Sequence, residues 1–453
     1  MSCDPPSSSR ATRATRASPR GEAEAPPGYR ALVVVALSPL AFALVFACWT
    51  LFAVLGVELR RDLALGSAAF AVLLSTPMLA GALASLPMAR LARRHGGRRV
   101  MLGCLLLICP FLWWIGHAQH YAEFLLAGLG LGLGAGSLAA GLVYVAELGP
   151  ARHAGLALGL YAAGMVGAGL GYLLLPLVSQ AYGWRTAPLF YLLPVLLVAG
   201  LLWLFAEDHD PLTPVSDPTG DDEARPFHSA RRARTARLAR LARLARRLAG
   251  WSPWRLALPY AFFFGAFLAL ALWLPGHLAT RFELSLQGAA LRAIPFTLAV
   301  GAGQVLGGWL ADRRDFRSLR WWLCAFVLVC LFLLSYPPFE LRIEGTHGPL
   351  SWHYAAPLWG FLGLLVPMGV AMGVGQGSLM RLIHRDHGGD MALVGGLALT
   401  LGGLFAALLP PVFVLGSEWL GLSTAGFMFL YAALVVCMLV MLADHALHRP
   451  RAQ

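Results

Sequence analysis

Long apolar stretches alternate with short polar segments along most of the chain. A helix needs about 20 mainly apolar residues to cross the roughly 30 Å hydrocarbon core of a bilayer. Because the bilayer interior offers no water to unpaired backbone groups, we expect each apolar stretch to be a helix. The predicted spans are 31–57, 68–88, 100–118, 122–146, 154–178, 187–206, 256–278, 288–311, 321–338, 355–380, 391–416 and 424–443.

A long polar segment at 207–255 separates the sixth predicted span from the seventh. The sequence therefore predicts an all-α integral membrane protein with about twelve transmembrane helices in two six-helix halves. The predicted divisions are a disordered tail at 1–30, a bundle at 31–206, a connection at 207–255, a second bundle at 256–443 and a tail at 444–453.

Composition and charge place these helices in a membrane with a definite orientation. Hydrophobic residues make up 58% of the chain and charged residues 13%, which excludes an ordinary soluble globular protein. All 35 basic residues are arginines, and 29 of them lie in segments on the same side as the N-terminus, against five on the other side. Since cytoplasmic loops carry the excess of basic residues, we expect an inner-membrane protein with both termini in the cytoplasm.

The central connection begins with an acidic, proline-rich part and ends in the basic sequence RRARTARLARLARLARRLAG. An Arg/Leu/Ala helix over 231–249 is expected to lie on the membrane surface and bind anionic lipid. The alternative is that the connection docks a protein partner. Nucleic acid is not expected as a partner, and we expect a monomer.

Two polar loops occupy equivalent positions in the two halves. They read Leu91-Ala-Arg-Arg-His-Gly-Gly-Arg-Arg99 and Gly308-Trp-Leu-Ala-Asp-Arg-Arg314. Both resemble the G-x-L-A-D-R-x-G-R-R motif of the major facilitator superfamily, although Arg93 stands where the first copy should have aspartate.

An Asp–Arg cluster at a helix end can hold two helices together in one conformational state and release them in another. The alternative is that these loops only anchor the helices at the membrane surface. Glu147, near the end of the fourth span, is either a proton-coupling residue or a helix-end charge. The candidate gating residues are Arg93, Arg94, Asp312, Arg313 and Glu147.

Glycine-rich segments in both halves resemble one family within this superfamily. The segments 132–177, 373–383 and 394–410 are similar to the signature regions of the nitrate/nitrite porters. The resemblance implies a secondary transporter that works by alternating access, with its solute site at the interface of the two halves.

The sequence departs from that family at two positions. The resemblance implies that members hold a planar anion with one arginine in the second span and one in the eighth. Alignment through LAGALASLP and AVGAGQVLGGWLAD places Ser85 and Gln304 there. Of the remaining family positions, Tyr260 and Phe264 match an anion-binding tyrosine and a packing ring. Three asparagine positions are taken by Ser137, Tyr161 and Gln376.

The predicted solute site is therefore polar and uncharged, which leaves the substrate open. Nitrate or nitrite is one hypothesis. An uncharged metabolite, a drug-like compound or copper (bound through Met368 and Met372) is the second, and a non-transporting sensor or assembly factor is the third. We expect no cofactor and no enzymatic activity. No predicted span carries a central carboxylate, which favours exchange or facilitated movement over proton coupling.

Overall fold

The computed structural model describes residues 29–207, 250–314, 318–337, 339–345, 348–354 and 356–447. The predictions for the N-terminal tail, the lipid-binding helix at 231–249 and the last six residues lie outside this part of the chain.

Six spans form the first half, and three of them are interrupted. We number the spans 1–12 in chain order. Span 1 consists of Tyr29–Trp49 and Phe52–Asp62, span 2 of Ser67–His95, span 3 of Gly97–His117, span 4 of Tyr121–Gly134 and Ser137–Leu148, span 5 of Ala154–Ala162 and Gly167–Tyr182, and span 6 of Leu192–Phe205 after a 3₁₀ turn at Ala187–Tyr191.

The second half consists of long helices without such interruptions. These are span 7 at Trp251–Arg281, span 8 at Leu286–Arg313, span 9 at Leu319–Ser335, span 10 at Leu358–Asp386, span 11 at Met391–Leu420 and span 12 at Ala425–Leu447. Eleven of the described helical segments are long and apolar enough to cross a membrane, and Leu319–Ser335 is a shorter apolar helix at the place of the ninth predicted span. The predicted fold class is confirmed, with all predicted spans present as helices.

A short hairpin, which was not predicted from the sequence, connects spans 9 and 10. Strand β1, Phe339–Gly345, pairs antiparallel with β2, Gly348–Tyr354. The sequence FELRIEG alternates apolar and polar residues with the period of a strand. Analysis of long apolar runs overlooks such a pattern because no part of it is continuously apolar.

The interruptions in spans 1, 4 and 5 lie inside each span, away from its ends. In span 5, the 3₁₀ turn Ala163–Val166 separates the two helices. In span 4, Ala135 N–H donates to Gly132 O at 3.0 Å, so the hydrogen bonding tightens locally. Glycine weakens a helix in its interior, and a 3₁₀ turn at such a point changes the direction of the side chains that follow it.

Span 8 packs with its backbone directly against span 10. A Cβ atom added at Gly303 would lie 2.3 Å from Val370 O, and one added at Gly373 would lie 2.1 Å from Val300 O. Gly307 and Gly377 form the next pair of close contacts one turn away. Small residues four apart allow this approach, which provides packing energy between helices in a lipid environment.

The two halves meet along spans 5 and 8 and along spans 2 and 11. A Cβ at Gly155 would lie 2.4 Å from Gly308 O, and one at Gly403 would lie 2.8 Å from the side chain of Ala82. We call the end of the bundle that carries residues 90–99, 151–155, 312–314, 318–320 and 381–390 the arginine-rich face. The other end is the opposite face.

Candidate functional site

Two buried carboxamides form the centre of the predicted solute site. Gln304 Nε2 on span 8 donates a hydrogen bond to Gln376 Oε1 on span 10 at 2.8 Å. Gln376 Nε2 donates in turn to the backbone carbonyl of Phe263 on span 7 at 3.1 Å. Both glutamines are almost completely buried. Spans 7, 8 and 10 are therefore connected by one chain of hydrogen bonds.

Span 5 reaches the same cluster from the other half. Met165 lies in the 3₁₀ turn of that span, and its sulfur is 3.1 Å from Gln304 Nε2. A thioether sulfur is a weak hydrogen-bond acceptor. Met165 was not predicted as a site residue from the sequence, although it lies one turn after the predicted residue Tyr161.

Two glycines fix the position of Gln304 between the halves. Added Cβ atoms at Gly159 of span 5 and Gly377 of span 10 would lie 2.4 Å and 2.2 Å from the backbone oxygen of Gln304. Any larger residue at either position would move span 8, and the carboxamide with it.

Ser137 and Tyr161 form a second pair, between spans 4 and 5. Tyr161 Oη donates to the backbone oxygen of Ser137 at 2.7 Å, and its ring stacks on Phe42 with centroids 5.3 Å apart. Ser137 Oγ is buried and has no hydrogen-bond partner among the described residues. A solute that reaches this point would find an available hydroxyl.

Tyr260 and Phe264 pack one turn apart on span 7. Their rings stack at 5.9 Å with an angle of 24° between the planes. The ring of Phe264 packs against span 11, where a Cβ added at Gly402 would lie 2.5 Å from it. Ser85 is buried on span 2, and its hydroxyl donates to Gly81 O in the same helix at 2.8 Å.

The seven predicted residues thus share burial and the absence of charge. Hydrogen bonds or ring contacts connect Gln304 with Gln376, Ser137 with Tyr161, and Tyr260 with Phe264. Ser85 bonds within its own helix instead. The structure therefore shows three connected pairs and one separate serine, all of them buried and uncharged.

Asp312 connects the two halves at the arginine-rich face. Its carboxylate accepts hydrogen bonds from the backbone N–H groups of Gly155 at 3.0 Å and Leu156 at 2.9 Å. Arg381 of span 10 approaches the same carboxylate with its Nε 2.7 Å from Oδ1. Because Gly155 and Leu156 begin the helix of span 5, Asp312 caps the positive end of that helix from the other half.

The other predicted gating residues differ in their contacts. Arg93 Nη1 at the end of span 2 donates to Gly389 O, between spans 10 and 11, at 3.0 Å, which is a second connection between the halves. Arg313 lies over the ring of Trp309 at 4.0 Å. Arg94 and Glu147 are exposed at the arginine-rich face.

The halves also touch at the opposite face. Gln180 Nε2 of span 5 donates to Gln287 Oε1 of span 8 at 3.0 Å, and Tyr172 Oη donates to Ala271 O of span 7. The polar cluster therefore lies buried between two zones of contact, one near each face of the bundle.

The family description "Major Facilitator Superfamily" matches residues 37–410 of this sequence. The chain belongs to the major facilitator superfamily. It is thus a multi-pass membrane transporter, as the repeated loop motifs indicated.

Relatives within the superfamily carry names that refer to nitrate and nitrite. The chain is 29% identical to a probable nitrate/nitrite antiporter, NarK1, of Thermus thermophilus over 420 residues, which cover 89% of each chain. It is 25% identical to a nitrite extrusion protein of Bacillus subtilis, with 87% and 90% of the two chains covered. The resemblance to the nitrate/nitrite porters is confirmed at this modest identity.

Solved structures of the same fold include a bacterial homologue of the human lysosomal transporter Spinster. Its inward-facing, occupied form gives a TM-score of 0.61 at 17% identity, with 92% of this chain and 96% of that chain covered. The unoccupied inward-facing form gives 0.62 at the same identity and coverage. These similarities concern the fold alone.

Proposed function

We propose that this superfamily member is a secondary transporter that moves a small polar solute by alternating access, on a scaffold like that of the nitrate/nitrite porters. The observation that carries the proposal is the buried cluster to which both halves contribute, with Met165 of the first half against Gln304 of the second. Solute sites of transporters of this kind lie near mid-membrane at the interface between repeats.

Asp312 acts as a latch at the arginine-rich face in this proposal. Opening that face separates span 5 from span 8, and the carboxylate then loses its bonds to Gly155 and Leu156. Charge-assisted hydrogen bonds are stronger than neutral ones, so their exchange can bias a two-state equilibrium. The bond from Arg93 to Gly389 O adds a second closing contact at the same face.

The arginine distribution supports an inner-membrane location with both termini in the cytoplasm, so the arginine-rich face would be the cytoplasmic one. We further propose that the chain acts as a monomer and that its segment 231–249 binds anionic lipid. Exchange or facilitated movement remains the proposed mode of transport.

Two substrates compete within this proposal. Nitrate and nitrite are favoured by the names of the relatives. An uncharged polar solute is favoured by the cluster, whose predicted members carry no charge. No contact described above favours a drug-like compound, copper or a sensor function.

Purified protein in proteoliposomes tests the first substrate directly. If the anions are carried, labelled nitrate should enter vesicles preloaded with nitrite faster than it enters protein-free vesicles. The variant Gly377→Val displaces Gln304. If this variant loses the exchange, the flux depends on the buried cluster. Uptake equal to that of protein-free vesicles would remove nitrate and nitrite as substrates.

A further inference from the structure

We propose that the solute of this transporter is uncharged and that it binds by donating N–H or O–H hydrogen bonds. The inference rests on the proposed transport function and specifies its substrate class. It comes from the orientation of Gln304, one of the two residues at the positions that correspond to the family's arginines; Ser85 is the other.

The carbonyl of Phe263 determines how Gln376 is oriented. A backbone carbonyl can only accept hydrogen bonds, so the group 3.1 Å from it must be the amide nitrogen of Gln376. The amide oxygen of Gln376 is consequently directed at Gln304, and it can be satisfied there only by a donor.

Gln304 is oriented by the same sequence of contacts. Its Nε2 donates to Gln376 Oε1 at 2.8 Å and lies 3.1 Å from Met165 Sδ, so both amide hydrogens have acceptors within the protein. Its Oε1 has no hydrogen-bond partner in the described part of the chain, although the residue is fully buried. The group left for a solute is therefore an acceptor.

A reversal of Gln304 to present its NH₂ group is opposed by its neighbours. The reversed Gln304 oxygen would face the oxygen of Gln376, and a compensating reversal of Gln376 would place its oxygen against Phe263 O. Each alternative replaces a buried hydrogen bond with a contact between two acceptor oxygens, which is strongly unfavourable. The acceptor is thus held in position by three residues.

Ser85 adds no charged donor on span 2. Its hydroxyl donates to Gly81 O in the same helix at 2.8 Å. Where the family resemblance implies two charged donors, this chain has two neutral side chains, of which Gln304 presents an acceptor.

This polarity selects the class of solute. An anion placed against Gln304 Oε1 would meet lone pairs, and the seven predicted site residues include no cation to offset its desolvation. A cation would also be buried without a counter-charge. An uncharged molecule with N–H or O–H groups can satisfy the acceptors, and the unpaired hydroxyl of Ser137 can serve its own polar atoms.

Radiolabelled urea, glycerol and erythritol are suitable uncharged probes, with labelled nitrate and nitrite as the anionic ones. We expect wild-type proteoliposomes to take up at least one uncharged probe several-fold faster than protein-free vesicles, and neither anion faster. Gln304→Met keeps the length of the side chain but removes the acceptor, and it should lower that uptake at least ten-fold. Gln119→Met makes the same change at an exposed position and should leave uptake within two-fold of wild type.

The double variant Ser85→Arg with Gln304→Arg tests the opposite polarity on the same scaffold. It should lose uptake of the uncharged probe and gain nitrate uptake of at least ten-fold over wild type. This result would show that a correctly folded scaffold carries anions only when the donors are restored.

Three outcomes would overturn the inference. Wild-type uptake of nitrate or nitrite that falls in Gln304→Met would show that the transport function is right and the substrate class is wrong. Uptake of all three uncharged probes by wild-type proteoliposomes no faster than by protein-free vesicles would also reject the uncharged substrate class. This holds even if the double arginine variant carries nitrate. If neither wild type nor the double variant moves any probe, the proposed transport function fails, and the substrate class fails with it.

Discussion

Gln304 and Asp312 lie two turns apart on span 8, and each connects the halves in a different way. Gln304 provides a neutral contact to Met165 at the centre, whereas Asp312 provides an ionic contact to span 5 and Arg381 at the arginine-rich face. One helix therefore carries both the proposed solute site and the proposed latch, so movement at the latch changes the position of the site.

Replacement of Asp312 by Asn tests the latch. The neutral side chain keeps its size but loses the charge that binds Arg381 and the first N–H groups of span 5. The conformation described here, in which these contacts close the arginine-rich face, should therefore be destabilised by about 1–3 kcal/mol. The loss of stability would appear as a lower midpoint of thermal unfolding. The reaction of the buried residues Cys48 and Cys104 with a thiol-specific dye measures that unfolding.

Glu418→Gln is the control because it also removes a carboxylate charge, but at an exposed position near the end of span 11. Its unfolding midpoint should remain close to that of wild type, since exposed charges contribute little to stability. Equal midpoints for Asp312→Asn and Glu418→Gln would contradict the latch.

Residue types, spacing and the family resemblance named candidate residues at this scale, and the structure shows what they contact. Asp312 was chosen because it lies in a repeated motif, and the glutamines were chosen from the family resemblance. Met165 and Arg381 were missed because a methionine in an apolar run and an arginine at a helix end have many ordinary explanations. Only the turn in span 5 and the packing of span 10 on span 8 show what they contact.

Continuous apolar length determines the helices, and this is why all twelve spans could be predicted at the scale of elements. The interruptions of spans 1, 4 and 5 could not be located because dense glycine is equally consistent with an unbroken, closely packed helix. Span 10 has such glycines and remains continuous from Leu358 to Asp386. Tertiary packing decides between the two outcomes.

Gly377→Ala tests the packing of spans 8 and 10. The added methyl group would lie 2.2 Å from the backbone oxygen of Gln304, so span 8 must move, and we expect a loss of about 1–3 kcal/mol. The unfolding midpoint in detergent measures it.

Gly363→Ala lies on the same helix, where an added Cβ meets no atom within 4 Å. This control removes a flexible residue without a clash and should leave the midpoint unchanged or slightly higher. A destabilisation equal to that of Gly377→Ala would show that helix packing at Gly377 is not the cause.

In this structure, the two halves of the molecule are in contact at both faces of the bundle. Asp312 and Arg93 close the arginine-rich face, while Gln180 and Tyr172 close the opposite one. Alternating access requires that these two sets of contacts open in turn while the solute site stays between them. The two-half organisation was predictable from the long polar connection, but the contacts that join the halves depend on side chains far apart in sequence.

Double electron–electron resonance between spin labels on the two halves tests this account most directly. One label pair, at His95 and Arg385, spans the arginine-rich face, and another, at Tyr182 and Leu420, spans the opposite face. The background lacks Cys3, Cys109 and Cys437. We predict two distance populations for each pair. Asp312→Asn should increase the fraction of molecules at the longer distance at the arginine-rich face and at the shorter distance at the opposite face. A single distance at both faces, unchanged by Asp312→Asn, would contradict alternating access about the buried cluster.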